Sequence, residues 1–196
     1  MFFEEDDDEK EPQRTSSEAL STRLLKARTV LVTGEVNHEL AERVISQLLI
    51  LDSESRDPIR VIITSNGGHV ESGFAIHDVM RFVESKVIAI GAGWVVSIAV
   101  PILFGASKEN RLALPNTRFM IHQPMGGVGG QATDVRIAAQ EILKIRERIN
   151  RLISEETGQP LDKIVADSDR NFWLSAEEAK EYGLISRIVS SASEVG

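Results

Sequence analysis

The chain of 196 residues contains no cysteine, which excludes disulfides, thiolate metal sites and a cysteine nucleophile, and points to the cytosol. It also lacks a basic face. The leader sets Glu4, Glu5, Asp6, Asp7, Asp8, Glu9 and Glu11 against Lys10 and Arg14, so the net charge of −8 falls to about −3 for the rest of the chain. A nearly balanced body behind an acidic leader offers phosphates no partner, which argues against nucleic acid and against a membrane surface. Met1-Phe2-Phe3 runs straight into acids, without the positive and apolar regions of a signal peptide, so export is not indicated. No GKS or GKT occurs, and Gly91-Ala92-Gly93-Trp94-Val95-Val96 lacks the third glycine of a dinucleotide fingerprint. The GxSxG elbow of an ordinary α/β-hydrolase is absent too.

What is present fits one globular domain behind a tail: 42% hydrophobic and 27% charged residues over a length sufficient for a layered core. Residues 1–17 read as a flexible acidic arm, and 18–196 as the folded domain. The uncharged run from Val87 to Ser107 has the length of a membrane span. Gly91, Gly93, Pro101 and Gly105 interrupt it, however, and a buried strand turning into a buried helix accounts for it better.

Strands and helices alternate. Ser17 to Ala27 reads as a helix, Thr29 to Val36 as a strand, and Asn37 as the cap of a helix carrying Leu40, Val44, Ile45, Leu48, Leu49 and Leu51 until Asp57-Pro58. Ile59 to Thr64 is a strand, Ser65-Asn66-Gly67-Gly68 a turn, and Val70 to Val83 a helix. Lys86 to Gly91 is a strand leading through Gly93 into a helix that carries Ser97, and short strands lie at Arg111 to Leu114 and Arg118 to His122. This order specifies an α/β fold with helices covering a sheet. The longest helix is expected over about 133–156, closed by Gly158. Its apolar seam, Val135, Ala138, Ile142, Ile145, Ile149 and Leu152, repeats at three and four residues, as in a packed helix pair. At 1.5 Å per residue it spans roughly 36 Å, long for a domain of this size, so a protruding helix that meets another subunit is expected; the competing expectation lays it wholly across its own sheet.

Two residues invite chemistry. Ser97, between Val95-Val96 and Ile98, stands where a strand passes into a helix; a serine there is ordinarily a cap, but free N–H groups at a helix start also suit a nucleophile whose attack creates an oxyanion. His122 ends the apolar run Phe119-Met120-Ile121, where a half-buried structural histidine is the commoner case. His38, in a helix first turn, and His77, on a helix flank, read as structural, and His69 as a residue beside the glycine turn with no catalytic role. Spacing alone leaves these alternatives open.

The stretches ITSNGGHVESGFAIHDVM, LALPNTRFMIHQP, GQATDVRIAAQEIL and DRNFWLSAEEAKEYGLI resemble the proteolytic subunit of the Clp protease over residues 20 to 190. The resemblance implies a crotonase-like α/β fold of repeated β-β-α and β-α units with a protruding handle helix. It also implies a serine endopeptidase that degrades unfolded polypeptides to short peptides inside a ring chamber. The family's triad falls on Ser97, His122 and Asn171, with asparagine where the family has an acid, and its oxyanion donors fall on the backbone N–H groups of Gly68 and Ile98. Heptameric rings stacked as a tetradecamer, an AAA+ unfoldase of the ClpX, ClpA or ClpC type, and a second subunit of the same type are the implied partners. No cofactor is implied, ATP being used by the unfoldase. The neighbourhood of the serine is bulkier than the family's, Asn66 replaces a proline, and Arg60 and Ile62 stand where the family offers tyrosines to ATPase loops. Two alternatives accompany this reading: a weakly active or inactive subunit that completes a mixed ring, and a crotonase-type acyl-CoA enzyme.

Overall fold

The computed structural model describes residues 16–127 and 129–195. The expected arm at 1–17 lies outside them except for its last two residues, which begin α1 (Ser16–Lys26). There follow β1 (Thr29–Val36), α2 (His38–Glu54), β2 (Ile59–Gly68), α3 (Val70–Phe82), β3 (Val87–Val96), α4 (Ala99–Leu103), β4 (Arg111–Ala113) and β5 (Arg118–Ile121). The chain continues through α5 (Ala132–Thr157), α6 (Leu161–Asp167), β6 (Phe172–Ser175), α7 (Ala176–Tyr182) and β7 (Arg187–Ile188).

Local signals place these elements. The Asn37 side chain accepts from the Leu40 N–H at 2.8 Å, a cap that contributes about 1 kcal/mol to a helix of this kind. Ser175 and Glu178 form a reciprocal capping box on α7, and Gly158 and Gly183 end α5 and α7 in the left-handed conformation that glycine adopts without strain.

The sheet runs β1-β2-β3-β4-β7, all parallel, and forks at β3. The first half of β3 pairs β4 (Ala89 with Arg111), while the second half pairs β5 in parallel (Val96 with Met120), and β5 then pairs β6 antiparallel (Ile121 with Phe172). Alternation along β2 and β3 sends Val61, Ile63, Val87 and Ala89 into the main core against α2, α3 and α4. The opposite face carries a smaller cluster of Ile88, Ile90, Leu112 and Val189, with Ile62 and Val195 packed against it.

Two expectations need correction. The stretch Ser65-Asn66-Gly67-Gly68 is not a turn after a strand but the distal end of β2, and β3 does not stop at Gly91 but runs on through Ala92-Gly93-Trp94 to Val96. Their glycines let the ladder continue through irregular register, with shifts between Thr33 and Glu35 and between Ile63 and Ser65. Ser97 accordingly lies outside the helix it was assigned to: it is the residue between β3 and Ile98, the N-cap of α4.

The long helix divides between the two expectations. Its second half packs on the chain's own core through Ile145, Ile149, Leu152 and Ile153, and its end is tied down by Glu156, which pairs with the buried Arg111 of β4 and with Arg81 of α3. Its first half leaves Val135, Ile137 and Leu143 exposed.

Candidate active site

The sheet register brings the sequence-expected residues together. Because Val96 pairs with Met120, the residues just beyond the two strand ends, Ser97 and His122, emerge side by side. Because Ile121 pairs with Phe172 in an antiparallel ladder, His122 falls opposite Asn171. Three positions far apart in sequence are thus aligned by two ladders.

The Ser97 Oγ lies 2.8 Å from His122 Nε2. Ser97 has φ 59°, a left-handed backbone that is unusual outside glycine, and its N–H is held by the Met120 carbonyl at 2.9 Å. Gly67 backs it. A Cβ at Gly67 (φ +89°) would lie 2.7 Å from the Ser97 Cβ, so the β2 end must be glycine for β3 to present the serine. Ile98 is buried against Gly73 of α3, whose missing side chain leaves room for it; this is how the chain accommodates bulk after the serine.

His122 is half-buried, and desolvation pushes its imidazole below the ordinary value of 6.5, while a hydrogen bond with the Asn171 side chain raises it in part. The ring therefore rests neutral near pH 7. With Nε2 at the Ser97 hydroxyl, Nδ1 is the nitrogen left for Asn171; an amide oxygen that accepts from Nδ1–H leaves Nε2 free to accept from Ser97. The two acids that compete for the orienting role are engaged elsewhere. Asp169 meets Arg146 and Gln123, each at 3.5 Å, and Asp167 binds Lys163 and the Tyr182 hydroxyl.

Two spaces flank the Ser97–His122 pair. One is a tight apolar slot of about 20 Å³ between Val70, Ile98, Pro101, Ile121, Ile149 and Ile153. The other is an open cleft of about 340 Å³ bounded by Glu35, Asn66, Gly67, Gly68, Pro124 and Met125. Gly68 (φ +145°) borders this cleft, and Ile98 starts α4, where the first N–H groups of a helix lack intrahelical acceptors.

The remaining histidines take structural places. His69 caps α3, its Nδ1 accepting from the Ser72 N–H, and its ring lies 4.5 Å from that of His38. His77, read from the sequence as a helix-flank residue, is buried, and its Nδ1–H donates to the Pro101 carbonyl at 2.7 Å, tying α3 to the helix behind the serine. Burial pushes its imidazole down, consistent with a neutral donor. That link, the Gly67 contact and Glu35 escaped sequence reasoning, since each depends on which strands and helices become neighbours. No helix among the described residues is long and apolar enough to cross a membrane. The uncharged run that met that length forms β3 and α4.

The profile of the Clp protease family matches residues 12–192. The chain belongs to the Clp protease family. It is 50% identical over 195 residues to the ATP-dependent Clp protease proteolytic subunit 3 of Rhizobium meliloti, covering 100% of both chains. It is likewise 50% identical over 171 residues to proteolytic subunit 2 of Pseudomonas aeruginosa, covering 87% of this chain and 85% of the relative. Among solved structures it matches ClpP1 from Listeria monocytogenes (TM-score 0.81, 51% identity, 90% of this chain and 99% of that one). An Asn-to-Asp mutant of the same Listeria protein matches with TM-score 0.84 and 50% identity over the same shares. As a Clp protease the chain is a serine peptidase with the ClpP fold, and the acyl-CoA reading is not favoured.

Proposed function

We propose that this chain cuts unfolded polypeptides with Ser97 as nucleophile, His122 as general base and then acid, and Asn171 as the residue that orients the imidazole. The observation that carries the assignment is the 2.8 Å contact between Ser97 Oγ and His122 Nε2, made by a serine in a strained backbone conformation at a strand end.

In the first half-reaction the Ser97 oxygen bonds to the peptide carbonyl carbon as its proton passes to Nε2. The carbonyl oxygen becomes an oxyanion facing the Gly68 and Ile98 N–H groups. Collapse breaks the C–N bond, and the imidazolium returns its proton to the leaving amine. In the second half-reaction water attacks the acyl-enzyme, giving its proton to Nε2, and the ester bond to Ser97 breaks to release the acid. No cofactor enters these steps. Asn171 orients the ring but brings no charge to the imidazolium, so activity of the isolated chain is low, and a subunit of the same type in a mixed ring supplies the fuller rate.

We place the chain in the cytoplasm, in heptameric rings stacked as a tetradecamer and fed by an AAA+ unfoldase that uses the ATP. The exposed Val135, Ile137 and Leu143 on the free half of α5 support a partner subunit there. A fluorophosphonate probe tests the chemistry: it labels Ser97 in the wild type and not in Ser97→Ala or His122→Ala. Labelling that survives in Ser97→Ala, or appears on another residue, overturns the assignment. Native mass spectrometry tests the assembly, with Leu143→Glu expected to lower the mass of the oligomer; an unchanged mass removes α5 from the interface.

A further inference from the structure

The open cleft beside Ser97 has one charged residue in its lining, Glu35; every other lining residue is uncharged, His122 included while it acts as a base. Glu35 is directed there by the backbone. The register of β1 against β2 shifts between Thr33 and Glu35, with Gly34 at φ +80° and its carbonyl taking the Ser65 hydroxyl at 2.5 Å. Such bulges re-aim the next side chain, and here the Glu35 Cγ lies 3.0 Å from where a Cβ on Gly68 would sit. The side chain therefore runs over the oxyanion glycine. It is exposed, and it makes no hydrogen bond or ion pair with any described residue.

We infer that Glu35 is a specificity-determining residue that selects a lysine or arginine side chain of the substrate on the cleft side of the scissile bond. The inference rests on the reading of Ser97 and His122 as the reacting pair. The slot and the cleft share Val70, Ser97, His122 and Pro124, so they receive substrate on either side of the reacting atoms. The slot holds only a small apolar group, whereas the cleft has room for a long side chain whose ammonium or guanidinium reaches the carboxylate. A lone carboxylate in a cleft of otherwise neutral walls draws cations and repels acids, and salt weakens the effect.

The test uses internally quenched peptides, acetylated and amidated so that the varied side chain is the only charge. Each carries Lys, Gln or Glu at one position flanking the scissile bond, on either side in turn. With the assembled wild type, kcat/KM for the best-placed Lys peptide exceeds that for its Gln counterpart by about two- to fivefold, the range of an exposed ion pair, and the Glu peptide is poorest. The ratio approaches one in Glu35→Gln and inverts in Glu35→Lys. The same peptides, fluorophore-labelled, are titrated onto Ser97→Ala by anisotropy, which reads the preference without chemistry. If Lys and Gln peptides bind Ser97→Ala equally, or if adding Glu35→Gln to it leaves a Lys preference intact, the inference is wrong even where cleavage proceeds. If no peptide is cleaved by the wild type or by Asn171→Asp, the peptidase assignment fails, and the anisotropy ratio alone decides the cleft.

Discussion

Ser97 is fixed from several directions: the β3 ladder, the Met120 carbonyl on its N–H, the close approach of Gly67, and Ile98 wedged into the space over Gly73. Asn171, at the far end of the same relay, is exposed and is held by the β5–β6 register and one hydrogen bond to His122. The two ends of the relay therefore respond differently to change. A half-buried serine in a strained backbone, backed by Gly67, tolerates little added bulk on that side, because its neighbours have nowhere to move. An exposed orienting residue exchanges with little cost in stability, since surface substitutions away from such features usually stay within about 0.5 kcal/mol.

The largest effect expected at the rigid end is that of Ser97→Ala, a loss of roughly 10⁴-fold or more in kcat on a fluorogenic peptide, with the ring intact by native mass spectrometry. His122→Ala should cost nearly as much, and the double variant little more, because the pair acts as a unit. Gly67→Ala comes next. Its Cβ forces the β2 end away from Ser97, and a displacement of about 1 Å at the nucleophile costs on the order of 10²-fold in kcat, alongside about 1–3 kcal/mol of overpacking read as a lower Tm. A Gly67→Ala protein with full activity would mean that the serine is not so tightly held.

At the exposed end the sign reverses. Asn171→Asp supplies a carboxylate that fixes the Nδ1–H tautomer and stabilises the imidazolium, and kcat should rise tenfold or more, within the roughly 10⁴ that the wrong tautomer costs in a chymotrypsin-type site. Its Tm should stay near that of the wild type. A fall in kcat there, together with collapse of activity in Asp169→Asn, would move the orienting role to Asp169.

The smallest effect is in the pH profile. His122 must be neutral to accept the Ser97 proton, and burial holds its imidazole below the ordinary 6.5, so wild-type activity persists below that pH before the acid limb falls. In Asn171→Asp the new negative charge favours the imidazolium, raises the imidazole and moves the acid limb to higher pH. An acid limb of kcat/KM that does not move would show that the residue at 171 does not touch the ring.

Much of this was legible in sequence because it is local. β-branched runs mark β1 to β3, Asn37 and Gly158 mark helix ends, and the chain motifs around Asn66, His122 and Asn171 carry the family resemblance. The strand lengths were not, because a glycine-rich stretch reads as a turn unless a neighbouring strand is there to pair with it. Nor was the division of α5, since the seam over Val135 to Leu152 has one period along its length but only its second half joins the core, where α5 packs against α4 and α6.

The sequence by itself determined which residue types are available for chemistry: no thiol, no phosphate loop, one serine among apolar neighbours and a histidine at a strand end. Only the tertiary structure decided that they come together. The fork at β3 sets Ser97 beside His122, the antiparallel turn of β6 sets Asn171 opposite it, and the bulge at Gly34 lays Glu35 along the cleft. The physical reason is that a hydrogen bond reaches only about 3 Å. Whether residues 97, 122 and 171 come within that reach depends on long-range strand pairing, which no local pattern encodes.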